Sequence, residues 1–404
     1  MQIGPNRYIV MAERREQVER MVGNGQGQIV DELPIIDGYV IETRDAGLFK
    51  AHVPGVQVVP DRKLEWIQPV EQLPEQEAPI FKLEVSDKTL NLDKVWSAGF
   101  TGKGVGVAIL DSGVAPHKDF EGRLAVFKDF TDPSQDGKPY DPAGHGTHVA
   151  GDAAGSGAAS RGKNKGPAYE ATILGLKIGN DSGPDLSAAV KAIDWVLAHK
   201  DEHNIRVMNM SFGGPNADPK TDPLMKAIQK AAEKGVVSVI AAGNEGPGAE
   251  TVGSPGDSRF ALTVGASDTK KTPTPDDDTL ARFSSRGPVP GGFPKPDVVA
   301  PGVKINAPDA NNYNGYVAFS GTSMASPIAA GVVATWFQAN PAMTATQAID
   351  IAKGSARPLN QKGLSVNDQG KGLLDAYAGL QKALALRGAA ATVPGPAGAS
   401  LAQA

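Results

Sequence analysis

The stretch VAILDSG, residues 107–113, joins four apolar residues to a carboxylate and a glycine. A short apolar run of this kind is typical of a strand that is buried on both faces, as in a parallel sheet. Asp111 then stands at the carboxyl end of the strand, which is the edge where open α/β sheets place their ligand sites. Taken alone, Asp-Ser-Gly after a strand is more typical of a plain turn than of a functional site.

The same pattern continues outward, because strand-like runs alternate with helical stretches from Trp96 to about Leu386. Strands are predicted over residues 104–110, 171–178, 207–211, 236–242 and 261–266, and helices over 146–154, 186–199, 222–234 and 323–339. This alternation predicts an α/β fold with a mostly parallel sheet and helices on both faces.

Two further stretches offer the partners that a carboxylate needs for acyl-transfer chemistry. HGTHVAG, residues 145–151, supplies His145, and SGTSMASP, residues 320–327, supplies Ser323 at the start of an apolar helical run. In a triad, Asp111 accepts the Nδ1 proton of the imidazole, and the imidazole takes the serine proton and later gives it to the leaving amine. A helix N-terminus at the serine favours an anionic intermediate.

With acid, base and nucleophile in the order Asp, His, Ser, and with these flanking residues, the chain resembles the subtilisin-like serine proteases, or subtilases. The resemblance spans roughly residues 96 to 385 and is most specific at Met-Ala-Ser-Pro after Ser323, where we place Pro327 in the first helical turn. It implies a serine endopeptidase that forms an acyl-enzyme and needs no cofactor for its chemistry. In this family the Asn of the motif AAGNEG donates to the oxyanion, which gives that role to Asn244.

The resemblance also implies contacts with the substrate. Residues 211–213 match an edge segment that pairs with an extended peptide, and residues 183–185 stand where the opposite wall should lie. The substrate-binding residues that carry over are Ser211, Phe212, Gly213, Ala242, Gly243, Ser254 and Gly256. Since none of them is charged, we expect a broad preference for apolar or aromatic P1 residues.

The first part of the chain predicts a separate small α+β unit. Strand-like runs at 7–11, 28–30, 38–42 and 56–60 and helical runs at 13–21 and 46–51 give a β-α-β-β-α-β order, as in a ferredoxin-like fold. Such a unit resembles the inhibitory propeptide of subtilases, which chaperones folding and lays its C-terminal tail through the active-site cleft. The alternative is an accessory or docking domain.

Four segments follow from this division of the chain. They are a propeptide-like domain at 1–68, a Pro- and Glu-rich linker at 69–82, a catalytic domain at 83–387 and an Ala/Gly/Pro-rich tail at 388–404 that is predicted to be disordered. The processing site is expected in the linker or slightly before it. We therefore expect a self-inhibited precursor that cuts its own chain.

Composition excludes several classes of function. The 404 residues include 40 Lys+Arg, 45 Asp+Glu and no cysteine. The mild charge disfavours nucleic acid and anionic membrane as partners, and the lack of cysteine excludes a thiol nucleophile, a cysteine zinc site and disulfides.

No window of the sequence approaches the roughly 18 apolar residues of a membrane span. The start lacks a secretory signal, which predicts a cytoplasmic protein, or an extracellular one if a signal precedes Met1. We expect a monomer whose partners are protein and peptide substrates and its own N-terminal unit.

Metal binding stays open. Residues 155–166 lack the Asn-rich loop with which many secreted subtilisins bind structural calcium, although Asp119 matches one ligand of that site. The run Asp276–Asp278 is predicted to be a solvated acidic loop in preference to an ion site. His148 follows His145 by three residues, but no carboxylate with HExxH-type spacing accompanies the pair, so we assign His148 to packing. His117 is predicted to be a loop residue.

Two alternatives of function stay open beside the endopeptidase. A non-catalytic binder is disfavoured because all four catalytic positions carry competent residues. A peptide ligase stays possible, because it differs from a hydrolase only in transferring the acyl group to an amine instead of water. A nucleotide-binding oxidoreductase, suggested by GKGVG at 102–106, is excluded because these glycines precede the strand instead of following it. Three segments resemble those of the bacterial subtilases described as intracellular. They are the basic loop at residues 155–166, the acidic run at 276–278 and FSSRGP at 283–288.

Overall fold

The structure, a computed structural model, describes residues 6–23, 26–44, 54–74 and 83–392. Its strands are β1 Asn6–Ala12, β2 Gly27–Leu33, β3 Gly38–Thr43, β4 Val56–Pro60, β5 Glu65–Trp66, β6 Glu71–Pro74, β7 Gly106–Asp111, β8 Leu124–Asp129, β9 Thr172–Lys177, β10 Gly179–Asn180, β11 Gly183–Pro184, β12 Ile205–Met210, β13 Phe212–Gly213, β14 Val237–Ala241, β15 Ala261–Asp268, β16 Thr279–Leu280, β17 Val298–Pro301, β18 Ile305–Pro308 and β19 Tyr316–Ser320. Its helices are α1 Arg15–Val22, α2 Leu83–Thr89, α3 Leu92–Ser97, α4 His145–Ala154, α5 Leu186–His199, α6 Pro223–Glu233, α7 Thr322–Ala339, α8 Ala345–Ser355, α9 Val366–Gln369 and α10 Ala376–Thr392.

The N-terminal unit is an antiparallel sheet in the order β2-β3-β1-β4, with α1 on one face. This is the strand order that a ferredoxin-like unit requires. The second helix of that fold, expected at 46–51, lies outside the described residues. The other face of the sheet is apolar, and its buried residues Ile9, Met11 and Leu33 pack with α5 and α6 in one core cluster.

The main sheet has the order β16-β15-β14-β12-β7-β9-β8, with β17 beside β15, and every pair except β15–β16 is parallel. The predicted α/β class is therefore confirmed. β7 lies inside the sheet, with β9 on one side and β12 on the other, so the connections diverge at its carboxyl end. Such a divergence opens a crevice in α/β sheets, and Asp111 is the residue that faces it.

Helices cover both faces of the main sheet. α4 and α7 pack on one face, while α5 and α6 pack on the other and also support the N-terminal unit. Almost all of α7 is buried, including Trp336 and Phe337, and burial of each such side chain contributes about 1.5–3 kcal/mol. Helix α7, with Ser323 in its first turn, is therefore anchored firmly in the core.

The structure differs from the predicted boundaries at two places. Residues 71–74, assigned to an aperiodic linker, form β6 and pair antiparallel with β19. Helix α10 continues to Thr392, inside the tail that was predicted to be disordered, where the alanines of Gly-Ala-Ala-Ala-Thr favour helix. The helices within the described part of the chain include none that is long and apolar enough to cross a membrane.

Candidate active site

Asp111 and His145 meet at the carboxyl end of β7. The Nδ1 atom of His145, the first residue of α4, lies 2.8 Å from Oδ1 of Asp111. Both side chains are buried. The approach is possible because Gly146 has no side chain: a Cβ there would lie 2.1 Å from the carbonyl oxygen of Gly113.

A second carboxylate holds this arrangement in place. Asp141 accepts hydrogen bonds from the Ser112 hydroxyl at 2.8 Å and from the backbone N–H and hydroxyl of Thr147 at 2.8 and 2.7 Å. The Ser112 hydroxyl also accepts from the N–H of Gly146 at 3.0 Å. Asp141 thus ties the loop after β7 to the first turn of α4. The sequence analysis missed this residue, although an Asp just ahead of a helix is a recognisable start signal.

The carboxylate sets the protonation of the base. Burial favours the neutral imidazole, but the charge of Asp111 and its hydrogen bond outweigh burial and raise the pKa of His145 above its ordinary value. The imidazolium is therefore stabilised once the ring accepts a proton. Nε2 of His145 is buried and has no hydrogen-bond partner among the described residues.

Ser323 lies in the first turn of α7, with its side chain buried. Pro327 was predicted in that first turn but is the sixth residue of the helix. Because proline has no N–H, it cannot bond the carbonyl of Ser323 four residues earlier. That carbonyl instead accepts a hydrogen bond from the Ser211 hydroxyl at 3.3 Å, which links the first turn of α7 to the edge beside β13.

Asn244, on the turn after β14, is oriented by the start of α7. Its Oδ1 accepts from the N–H and the hydroxyl of Thr322, each at 3.0 Å. The N–H of Gly243 in turn donates to the Thr322 hydroxyl at 3.1 Å. These bonds fix which end of the amide faces the cleft, so that Nδ2 is the group available to an oxygen near Ser323.

Residues 62–74, which we call the strap, run through the cleft. Trp66 and Glu65 pair antiparallel with Phe212 and Gly213, and the N–H of Ile67 donates to the carbonyl of Ser211 at 3.2 Å. Beyond Ser323, the strap forms β6 against β19. An extended peptide added as a strand is a common mode of peptide recognition, and here the chain's own peptide occupies that position.

Beside the start of α7, the strap contacts Ser323 and Asn244 through two successive carbonyls. The Ser323 hydroxyl donates to the carbonyl of Ile67 at 2.8 Å, and Nδ2 of Asn244 donates to the carbonyl of Gln68 at 2.8 Å. The serine proton therefore points to the strap and away from His145. If Ser323 is the nucleophile and Asn244 the oxyanion donor, both must act on one carbonyl, and this register would not be productive.

The predicted substrate-binding residues lie around one cleft of about 540 Å³. Its lining includes Phe212, Gly213, Ala242, Gly243, Ser254 and Gly256, while Ser211 contributes through its carbonyl at the edge. The walls also include two carboxylates that the sequence analysis did not single out, Glu245 and Glu250. Both are exposed, and the carboxylate of Glu245 accepts from the Ser285 hydroxyl at 2.7 Å.

The other histidines near the site serve in packing. His148 is fully buried and stacks on Phe319, its Nδ1 lies 2.9 Å from Asp152, and its Nε2 faces two backbone carbonyls. It thus has no nitrogen free for a metal. His117, expected in a loop, is also buried, and its Nδ1 accepts from the N–H of Asp119 at the start of a short 3₁₀ helix.

The residues around Asp119 do not fit a calcium site. Its carboxylate already accepts from the N–H of Ala159 at 2.9 Å and from the hydroxyl of Tyr316 at 2.9 and 3.0 Å. The nearby carbonyls of Ala154 and Ala171 and that of Asp119 itself accept from the guanidinium of Arg123. A fixed organic cation therefore takes the oxygens that a calcium ion would need.

The acidic run is only partly solvated. Asp276 and Asp277 are exposed as expected, but Asp278 is buried and neither of its carboxylate oxygens has a hydrogen-bond partner within the described ranges. Burial, with the charge of Asp277, raises the pKa of Asp278 to about 7. No group of three or more His, Asp or Glu side chains in the described part of the chain is arranged to hold a metal ion.

Comparison with known proteins agrees on one family. The model of the subtilase family, peptidase S8, matches residues 102–372. Serine protease AprX of Bacillus subtilis is 42% identical over 272 residues, which cover 63% of this chain and 61% of that protein. Subtilisin DY of Bacillus licheniformis is 33% identical over 296 residues, which cover 72% of this chain and 96% of that protein.

A solved structure extends the likeness over most of the chain. Fervidolysin from Fervidobacterium pennivorans, a keratinolytic enzyme related to subtilisin, superposes with a TM-score of 0.73 at 26% identity, covering 93% of this chain and 61% of that one. The match thus spans about three fifths of the length of both AprX and fervidolysin.

Proposed function

The chain belongs to the subtilase family, and from that premise we propose that it is a serine endopeptidase acting through Asp111, His145 and Ser323, with Asn244 as oxyanion donor. The observation that carries the proposal is the strap. A peptide carbonyl, that of Ile67, lies 2.8 Å from the Ser323 hydroxyl inside a cleft whose edge pairs with the peptide backbone.

The proposed reaction uses each group for one task. The Ser323 oxygen attacks the carbonyl carbon while Nε2 of His145 takes its proton, and Asp111 stabilises the resulting imidazolium. The oxyanion receives hydrogen bonds from Nδ2 of Asn244 and from the N–H of Ser323. The imidazolium then protonates the leaving amine, and a water molecule releases the acyl group by the same steps. No cofactor takes part.

The chain is made, in this proposal, as a self-inhibited precursor. The strap supports this because it runs through the cleft and takes the hydrogen bond of the Ser323 hydroxyl, so His145 has no hydroxyl to activate. Cleavage then requires the carbonyl of Ile67 to turn toward Asn244. We assign the processed bond to Ile67–Gln68, since Ile67 is the residue bonded to Ser211 and the following bond would have the ring nitrogen of Pro69 as its leaving group.

The preference at P1 is proposed to be apolar or aromatic. Apolar groups of Phe212, Ala241, Ala242 and Val252 line the cleft, and Ile67 of the strap lies against it. Glu245 and Glu250 also line the cleft, but both are exposed, and we expect the P1 side chain to contact the apolar lining residues instead.

Intact-mass spectrometry of the wild type beside Ser323→Ala, each incubated at neutral pH, tests the proposal. We expect the wild type to lose a fragment that ends at Ile67 and the variant to stay whole, because removing a catalytic serine lowers kcat by about 10⁶-fold. A trace of wild type added to the variant shows whether one molecule can cut another.

Three outcomes contradict parts of the proposal. Equal cutting in both proteins would refute Ser323 as the nucleophile. An uncut wild type that still hydrolyses a peptide substrate would make the N-terminal unit an accessory domain. An uncut wild type that hydrolyses nothing would favour the non-catalytic binder.

A further inference from the structure

The strap carries two adjacent cations ahead of the bond that lies at the nucleophile. Nη2 of Arg62 lies 2.9 Å from Oδ2 of Asp222, and Nζ of Lys63 lies 2.9 Å from Oδ1 of Asp185. With Ile67 as P1, Lys63 is P5 and Arg62 is P6. Both acidic partners belong to the catalytic domain, so a substrate on the same path would meet the same two carboxylates.

The path of the backbone at these positions is fixed by hydrogen bonds. The N–H of Leu64 donates to the carbonyl of Pro184 at 2.8 Å, and the N–H of Leu186 donates to the carbonyl of Arg62 at 3.0 Å. Lys63 and Asp185 form an antiparallel bridge between these bonds. Main-chain pairing of this kind does not depend on side-chain identity, so other peptides can adopt the same register.

Asp222 is positioned before any cation arrives. Its Oδ1 accepts from the N–H groups of Leu224 and Met225 at 2.9 and 3.0 Å and so caps α6. This leaves Oδ2 to face Arg62, and the carboxylate is fully buried while the guanidinium is partly exposed. A carboxylate held by helix N–H groups needs no reorganisation to bind a cation, which strengthens its selection for one.

A further carboxyl group adds to the negative potential around Arg62. Asp257 is buried, and one of its oxygens has no hydrogen-bond partner among the residues that the structure describes. Burial and the charge of Asp222 raise the pKa of Asp257 to about 6, while Lys295 and Arg62 act in the opposite direction. The guanidinium of Arg62 thus lies in the field of two acidic groups. Asp185, by contrast, forms a half-exposed pair with Lys63, and such pairs contribute little.

We propose that Asp222, with a smaller contribution from Asp185, makes this protease select peptides that carry basic residues five and six positions before P1′, at P5 and P6. This inference rests on the proposed function, because it assigns to substrates the path that the strap follows. It extends the specificity beyond the apolar S1 cleft to a charged region at the far end of the same added strand.

The test uses the self-processed wild-type protein and internally quenched peptides that share Leu-Glu-Trp-Ile before the bond. The peptides differ only at the two preceding residues, which are Arg-Lys, Ala-Ala or Glu-Glu. We expect kcat/KM for Arg-Lys to exceed that for Ala-Ala about tenfold at low salt, with Glu-Glu slowest, because a charge-assisted hydrogen bond to a buried carboxylate is strong. The ratio should shrink at high salt.

Asp222→Asn removes the charge but keeps a side-chain oxygen to cap α6, so the variant should fold. In Asp222→Asn, the ratio of kcat/KM for the Arg-Lys peptide to kcat/KM for the Ala-Ala peptide should fall close to one. In Asp185→Asn, the same ratio should fall by no more than about threefold. Asp218→Asn, which removes an exposed carboxylate four residues before Asp222, is the matched control and should keep the wild-type ratio.

A wild-type ratio near one, or a ratio that survives in Asp222→Asn, would overturn the inference while the hydrolysis of Ala-Ala still upheld the proposed function. If no peptide is cut by the wild type, the proposed function itself fails and takes the inference with it. The two failures are therefore distinguishable in one data set.

Discussion

The two carboxylate oxygens of Asp111 have different surroundings, and this difference bears on the protonation of His145. Its Oδ1 faces Nδ1 of His145 and also accepts from the N–H of Ser112 at 2.7 Å, which fixes the plane of the carboxylate. Its Oδ2 is buried without a hydrogen-bond partner among the described residues. The carboxylate therefore interacts mainly with the imidazole, and this is the physical basis of the raised pKa of His145.

The pH dependence of activity follows from that raised pKa. A general base must be neutral, so activity is lost as the pH falls through the pKa of His145, and the acid limb of kcat/KM should lie above the ordinary value of about 6.5. Asp111→Asn removes the charge, so the limb should move to lower pH and kcat should fall about 10⁴-fold. Rates measured from pH 5 to 9, with Ser323→Ala as the blank, check both effects. If the acid limb of kcat/KM stayed at the same pH in Asp111→Asn, the charge of Asp111 would not be what raises the pKa of His145.

Short motifs made it possible to name candidate residues of the site but not their surroundings. Asp111, His145, Ser323 and Asn244 could be named because each stands in such a motif. In the structure His145 contacts Asp111, while Ser323 and Asn244 contact successive carbonyls of the strap. The burial of Asp278 could not be predicted, because an Asp-Asp-Asp run gives no sign of which carboxylate is covered by distant residues.

At the scale of elements, the start of α7 organises the site. Thr322 orients Asn244 through two hydrogen bonds, Ser323 follows it, and Pro327 leaves the carbonyl of Ser323 free for Ser211. The first residues of α7 therefore position Ser323, Asn244 and the edge at Ser211 together.

Replacing Thr322 by valine tests this organisation. The variant keeps the side-chain volume and the backbone N–H to Asn244 but loses the hydroxyl that bonds Oδ1 of Asn244 and accepts from Gly243. We expect kcat to fall about three- to tenfold with KM within twofold, because losing a whole oxyanion donor costs about 10²–10³, a range that comes from subtilisin, and here the donor is only loosened.

The control is Thr335→Val on the same helix, since the Thr335 hydroxyl donates to the carbonyl of Val332 at 2.7 Å and Thr335 does not belong to the cleft lining among the described residues. Its kinetic constants should match those of the wild type. A rise in KM at constant kcat in Thr322→Val would show that the turn serves ground-state binding instead.

Element prediction succeeded where the signal was local and failed where pairing was distant. The helix at residues 186–199 was predicted with the boundaries of α5, because its apolar periodicity is complete within the segment. β6 was missed because its partner β19 lies more than 240 residues away and pairs through backbone groups that carry no sequence signal. The path of the strap could not be predicted for the same reason, because it pairs through backbone groups with the distant residues 184–186 and 211–213.

On the scale of the whole molecule, the N-terminal unit and the catalytic domain share one core. The sheet face with Ile9 and Leu33 packs on α5 and α6. Asp61, just after β4, accepts from the N–H and the hydroxyl of Ser187 at 2.9 and 2.7 Å, in the first turn of α5. A side chain of the N-terminal unit thus caps a helix of the catalytic domain, and docking of the unit is tied to the placement of the strap.

Asp61→Ala should therefore weaken both docking and inhibition. Loss of a helix cap destabilises by about 0.5–2 kcal/mol, so the thermal midpoint of the full chain, measured in the uncleavable Ser323→Ala background, should fall by a few degrees. In the wild-type background, the lag before peptide hydrolysis appears should shorten, because the strap leaves the cleft more readily. Glu16→Ala, an exposed change on α1 away from α5 and α6, should alter neither quantity. A lower midpoint with an unchanged lag would show that Asp61 stabilises the assembly without governing access to the cleft, which would place the inhibition in the strap contacts alone.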